Sequence, residues 1–136
     1  SYVMTDVTRA DPNTVDALRK FQLESTLPKY RSIFTVNHQQ ENWTLTANIN
    51  YYGAYTETHL DELSLLIESG AEVTVDASLA YDINPEFTIT VGAQNLFDEY
   101  PRENIDFGKF VGAQYSTTSP MGFNGAYYYV GLTYNY

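Results

Sequence analysis

Apolar and polar residues alternate with a period of two along five stretches of the chain, which predicts five β-strands with one apolar face each. The first spans about Tyr30 to His38, where Phe34 and Val36 alternate with Thr35 and Asn37. The second, Trp43 to Tyr55, sets Trp43, Leu45, Ala47, Ile49, Tyr51 and Tyr55 against Thr44, Thr46, Asn48 and Asn50. In the third, Val73 to Ile83, the apolar side is Val73, Val75, Ala77, Leu79, Tyr81 and Ile83, and Thr74, Asp76, Ser78 and Asp82 form the other. Phe87 to Asn95 follows, with Phe87, Ile89, Val91 and Ala93 opposing Thr88, Thr90 and Gln94. The fifth, Ala126 to Tyr136, carries Tyr128, Val130, Leu132, Tyr134 and Tyr136 on one face and Tyr127, Tyr129, Gly131, Thr133 and Asn135 on the other.

The connections alternate in length. Gln39 to Asn42 and Asn84-Pro85-Glu86 are tight turns that make hairpins, whereas 56–72 and 97–125 are long, as is the stretch up to Pro28. Short turns at one end of a sheet and long loops at the other match the build of an outer-membrane barrel. The final strand descends from a long loop, which puts its far end on the periplasmic side. Spacing of three at Val15, Leu18 and Phe21, and again at Leu60, Leu63 and Leu66, marks two places for a short helix.

Composition sharpens the choice between a soluble and a membrane sheet. Thirteen Tyr, seven Phe and one Trp occur in 136 residues, yet the mean hydropathy is negative at -0.34. No stretch approaches the roughly 20 apolar residues of a transmembrane helix, while barrel strands need only alternation over about 10. The net charge of -10 opposes nonspecific nucleic-acid binding, which requires Lys and Arg on phosphates. Cysteine is absent, in keeping with an exported protein that does without disulfides. The opening Ser1-Tyr2-Val3 reads as a processed or excised edge.

Asn48, Asn50, Asp76 and Asp82 suit a wet barrel lumen better than a sandwich core, where each unsatisfied polar group costs about 1–3 kcal/mol. Five strands leave two open edges, and membrane sheets close only from about eight strands upward. The expectation is therefore a piece of a barrel, completed by further strands or by several chains.

The stretch Val91-Gly92-Ala93-Gln94-Asn95-Leu96-Phe97-Asp98-Glu99-Tyr100-Pro101 resembles the Asn-Leu-Phe-Asp signature (Asn95, Leu96, Phe97, Asp98) near the C-termini of TonB-dependent receptors. Leu27-Pro28-Lys29-Tyr30-Arg31, the Trp43 hairpin ending in Tyr51-Tyr52-Gly53, and Ser119 to Gly125 before an aromatic last strand are also similar to that family. The resemblance covers residues 27–136. It implies an all-β fold, an antiparallel transmembrane β-barrel segment supplying about the last five strands of a 22-stranded barrel, with long extracellular loops and short periplasmic turns. Residues 1–29 would be an extracellular loop and strand end, and residues 30–136 the C-terminal strands with loops at 56–72 and 97–125. No plug domain is included. The implied function is active uptake of a scarce nutrient, foremost a ferric siderophore, with no enzymatic activity and no cofactor. Implied partners are outer-membrane lipid and lipopolysaccharide, the remaining strands and plug of the same protein, TonB (through an absent N-terminal part), and a small-molecule nutrient. The periodic Tyr128, Val130, Leu132, Tyr134 and Tyr136 resemble the C-terminal signal read by the barrel-assembly machinery, and an amphipathic edge strand can add to another sheet through its main chain.

Among possible site residues, Arg31, Tyr52 and Tyr127 stand near the loop ends of their strands and Arg102 in an adjacent loop. Each Arg there is suited to gripping an anionic ligand, although packing of the barrel wall is the plainer role. His38 and His59 are isolated and read as ordinary exposed residues. Glu57, Asp61, Glu62, Glu68 and Glu72 crowd one loop without a basic neighbour. Oxygen ligands of this kind suit calcium, and the plainer reading is a solvated face beside lipopolysaccharide. The carboxylates Asp98, Glu99, Glu103 and Asp106 have no spacing that demands acid–base chemistry. The rival readings are a passive porin or adhesin barrel and a soluble β-sheet carbohydrate-binding module.

Overall fold

The computed structural model describes residues 1–9, 11, 14–58, 63, 65–104, 114–116 and 118–136. The elements run α1 (Ala17–Ser25), β1 (Arg31–Gln40), β2 (Trp43–Tyr52), β3 (Tyr55–Thr58), β4 (Leu66–Ser69), β5 (Glu72–Asn84), β6 (Phe87–Gln94) and β7 (Tyr127–Tyr134). Among the described residues no helix is long and apolar enough to cross a membrane. Two compact units emerge, one of residues 1–32, 51–72 and 100–123, the other of residues 33–50, 73–99 and 124–136.

The second unit is built on a five-stranded sheet of order β1-β2-β5-β6-β7. All but the second lie, to within two residues at each end, where the alternation predicts them. The β1–β2 link is only Glu41-Asn42, which allows nothing but an antiparallel pair. Between β5 and β6, the Asn84 side chain accepts from the amides of Glu86 and Phe87, both at 2.9 Å, and so holds the turn around Pro85. Both β5–β6 and β6–β7 are antiparallel. Their register carries Leu79, Val91 and Val130 across one face in a row, and Tyr81, Ile89 and Leu132 across the next. On the opposite face Asp82, Thr88 and Thr133 line up in the same way.

The predicted second strand is divided. β2 stops at Tyr52, and Tyr55 opens β3, so Tyr55 leaves the apolar face assigned to it. The break falls at Gly53, whose amide donates to the Tyr30 carbonyl at 2.8 Å. A Cβ at Gly53 would come within 3.1 Å of that same oxygen, so the close approach favours the smallest residue.

The first unit holds α1 and the β3–β4 hairpin. α1 covers the Leu18 and Phe21 of the predicted helix and is capped by Asp16, which accepts from the Arg19 amide at 2.8 Å. A second helix reaching Leu66 does not form, because Leu66 begins β4 and pairs with Thr58. Leu60, the first residue of that spacing, lies outside the described residues. In the hairpin, Tyr55 pairs with Ser69 and Glu57 with Ile67. Burial alternates strictly, with these four side chains covered and Thr56, Thr58, Leu66 and Glu68 more open.

Candidate functional site

The two faces of the sheet in the second unit are unlike in a way that reverses a water-soluble protein. Its apolar face is open: Val130 is 72% exposed and Leu132 66%, and Leu79, Tyr81, Ile83, Ile89, Val91 and Tyr134 are exposed beside them. Its polar face is covered where β2 meets β5. Asn50 is 7% exposed and Thr74 5%, and Asn50 donates to Thr74 Oγ1 at 3.3 Å and to Asp76 Oδ2 at 2.8 Å. Further side-chain bonds cross this face from Thr35 to Asn48 (2.8 Å), Thr46 to Asn37 (2.9 Å) and Thr88 to Asp82 (2.6 Å). Polar groups that would be costly in a dry core are here bonded to one another, and Thr46, Asn48 and Asp76 among them line a groove of about 160 Å³ with Gln94 and Tyr129. Covering the eight exposed apolar side chains, at about 1.5 kcal/mol each, is worth on the order of 10 kcal/mol.

Asn95, Leu96, Phe97 and Asp98 form the turn that ends β6. Asn95 and Asp98 both adopt positive φ, 49° and 59°, a conformation that Asn and Asp tolerate better than other side-chain-bearing residues. The Asp98 amide donates to the Asn95 carbonyl at 2.9 Å and closes the turn. Asn95 also receives the Glu99 amide on Oδ1 at 3.0 Å and donates through Nδ2 to the Glu99 carbonyl at 2.7 Å. Ties outward reach β5, through the Asn95 amide to Asp76 Oδ1 at 2.9 Å and the Leu96 amide to the Val75 carbonyl at 2.7 Å. They reach the start of β7 as well, through the Ala126 amide to Asp98 Oδ1 at 2.8 Å and the Tyr128 hydroxyl to the Leu96 carbonyl at 3.2 Å. Phe97 makes none of these bonds and is exposed.

The periodic residues of the last strand separate by face. Tyr128, Val130, Leu132 and Tyr134 face the β6 residues Ala93, Val91, Ile89 and Phe87 in turn. Tyr134 lies 5.0 Å from the Phe87 ring and 6.4 Å from that of Tyr136, which follows the strand. Tyr127 and Tyr129 stack at 6.2 Å on the other face, and the Tyr129 ring covers Gly92 so closely that a Cβ there would come within 2.4 Å of it.

Arg31, Tyr52 and Arg102 belong to the first unit, and Tyr127 to the second. The Arg31 guanidinium stands over the buried Tyr52 ring at 5.1 Å, a cation–π contact. Arg31 also lines a pocket of about 200 Å³ with Val3, Leu23, Leu27 and Pro120. Arg102 donates to the Glu68 carbonyl at 2.8 Å and, with Lys29, Glu24, Tyr55 and Ser69, lines a larger cleft of about 650 Å³. These two cations can hold an anionic group, although Glu24 and Glu68 line the same cleft and balance their charge.

Scanned against family models, curated proteins and solved structures, the chain has no match.

The acidic segment is not uniformly solvated. Glu57 is 4% exposed; its Oε2 accepts from the hydroxyls of Ser116 and Thr118, the latter at 2.5 Å. Its Oε1 has no partner, and neither do Glu72 Oε2 nor the hydroxyls of Tyr55, Ser69 and Ser119, all of them buried atoms. Burial, reinforced by the Glu57 charge, pushes the Glu72 carboxyl up to about 7. Glu72 belongs to the first unit and precedes the apolar run that starts at Val73. Burial likewise pushes the Tyr55 phenol up.

Glu68 stays exposed, and His59, Asp61, Glu62 and Asp106 lie outside the described residues. His38 is exposed on β1, with its ring 5.2 Å from Trp43. Asp98 serves the turn described above and Glu103 receives the Gln114 side chain at 2.7 Å. Among the described residues no group of three or more His, Cys, Asp or Glu is placed to hold a metal ion. The Tyr55–Ser69 cluster was not legible in the sequence. Its strands are four residues each with mixed polarity, and Ser116 and Ser119 come from a distant segment with no local signal of their own.

Proposed function

We propose that this chain forms a sector of the wall of a bacterial outer-membrane β-barrel, in a TonB-dependent receptor that takes up a scarce nutrient, foremost a ferric siderophore. The observation that carries the reading is the sheet with an exposed apolar face and a hydrogen-bonded polar one. Lipid is the solvent that accepts the first, and a wet lumen accepts the second. β6, of 8 residues, and the part of β5 beyond Glu72 are suited to crossing a tilted bilayer path of about 9–11 residues. Among the described residues β7 has a free edge, as does β1 beyond Arg31, whose backbone pairs with Ser1; hydrocarbon does not tolerate unpaired backbone, so further strands close the ring. The full barrel would have 22 strands, with the remaining strands and a plug in the same protein. The Asn95–Asp98 turn supports the family reading, because both of its polar side chains have defined structural work there. Anionic nutrients suit the cleft beside Lys29 and Arg102. Lipopolysaccharide, the barrel-assembly machinery and TonB are the further partners of this reading.

Fractionation of source cells tests it, with an antibody against residues 57–72. The expected result is an outer-membrane band several times larger than 15.4 kDa that shifts on heating. A soluble band near 15.4 kDa would overturn the barrel. Loss of ferric-siderophore uptake on deletion is expected under iron limitation, and unchanged uptake of every siderophore tried would remove that ligand class while leaving the barrel intact.

A further inference from the structure

The β3–β4 hairpin covers a face made of Tyr55, Glu57, Ile67 and Ser69. Ile67 is an ordinary occupant of such a face; the other three are not. Tyr55, Glu57 and Ser69 are each 4% exposed, and each presents an oxygen that has no hydrogen-bond partner. They converge. Tyr55 and Ser69 are cross-strand partners, and Glu57 is two residues along the same face from Tyr55. The Tyr55 phenol has the Ser69 and Ser119 hydroxyls beside it and feels the charges of both Glu57 and Glu72, yet none of the three hydroxyls reaches hydrogen-bond geometry with another. Glu57 and Glu72 in turn repel one another.

The cluster therefore has five buried, unpartnered oxygens, two of them from carboxyl groups, and no Lys or Arg pairs with either carboxyl among the described residues. An isolated buried carboxylate is costly, and two without a counter-ion more so. Lys29 and Arg102 line the cleft that Tyr55 and Ser69 also line, but neither pairs with Glu57 or Glu72, so the arrangement lacks positive charge that several oxygens can share. A single proton can link two of the five. A hard cation that takes six to eight oxygen ligands, some from water, supplies charge that more than two can share.

We propose that Glu57 and Glu72, with Tyr55, Ser69 and Ser119, form a binding site for a divalent cation of the calcium class. The site joins the β3–β4 hairpin to the segment carrying Ser119, so the cation clamps the first unit. The Ser116 and Thr118 hydroxyls on Glu57 Oε2 act as positioning residues, leaving Oε1 for the ion. The assignment is independent of what the protein transports.

Terbium titration of the full chain in detergent micelles tests it, because a tyrosine beside the ion sensitises terbium emission. Saturable emission is expected, displaced by calcium and much less by magnesium. Glu57→Gln and Glu72→Gln should each weaken terbium binding at least tenfold, while Tyr55→Phe should lower the emission more than the affinity measured by calorimetry. Far-UV circular dichroism of each variant separates loss of the site from loss of the fold, and Glu68→Gln, on the open face of β4, should bind as the parent does. Absence of saturable binding, or binding indifferent to both glutamine variants in a folded chain, would overturn the proposal. A chain equally stabilised by Glu72→Gln with and without calcium would mean that a proton, not a cation, completes the cluster.

Discussion

Asn95 makes more defined bonds than any other residue of its turn, and its value rests on two separate properties. It tolerates positive φ, and its side chain both donates to and accepts from Glu99. Replacing it with Ala removes both. Asn95→Ala should lower stability by about 1–3 kcal/mol, and Asn95→Gly should recover the conformational part but not the bonds. Urea unfolding of the full chain in micelles checks the order parent, Gly, Ala; equal midpoints would show that the turn is held from elsewhere.

Glu72 gives a second prediction at this scale. Its folded pKa is raised from 4.5 to about 7, so the folded state holds the proton more tightly than the unfolded chain does. The stabilisation is fully present below pH 4.5 and is lost as pH rises through about 7. Glu72→Gln imitates the protonated form. With a chelator present, it should match the parent at pH 4 and exceed it at pH 8 by about 1–2 kcal/mol, a figure reduced for solvent screening because Glu72 is only half-buried. Thermal unfolding across that range reads the difference, and a constant offset at all pH values would contradict the shift.

At the scale of the element, β7 shows what the alternation does. Leu132 and Thr133 are neighbours in sequence, but Leu132 faces Ile89 and Thr133 faces Thr88 on the opposite side of the sheet. If lipid covers the apolar face, Leu132→Arg should reduce stability in vesicles by about 2–4 kcal/mol, and Thr133→Arg should cost far less. Folding of the intact barrel protein into phosphatidylcholine vesicles, followed by protease protection, measures both. Equal tolerance of the two substitutions would remove lipid from that face. Five strands were legible in the sequence because each repeats its alternation over eight residues or more. The β3–β4 hairpin was not, since each strand allows only two turns of the pattern and its covered face mixes Tyr, Glu, Ile and Ser.

For the whole molecule, the open edges of β1 and β7 and the exposed apolar face act together. Either alone invites association, and both in one chain make an isolated, water-soluble monomer unfavourable. Without detergent the chain should sediment as heterogeneous oligomers. A monodisperse monomer with a sharp two-state unfolding transition would contradict this and restore the soluble binding module.

By itself, the sequence determined the strands, their order of polarity and the two tight hairpin turns, because period-two alternation and turn residues such as Asn84 and Pro85 act within a few residues. It also located α1, through the spacing of Val15, Leu18 and Phe21. Only the tertiary structure decided which polar residues are buried. Asn50 meets Asp76 from 26 positions away, and Glu57 meets Ser116 from 59. The acidic segment reads as solvated along the chain, and chain folding over distances of that order puts two of its carboxyls, Glu57 and Glu72, in a buried cluster of oxygens. Burial and partnership are sums over such distant contacts, and no local pattern of residues contains them.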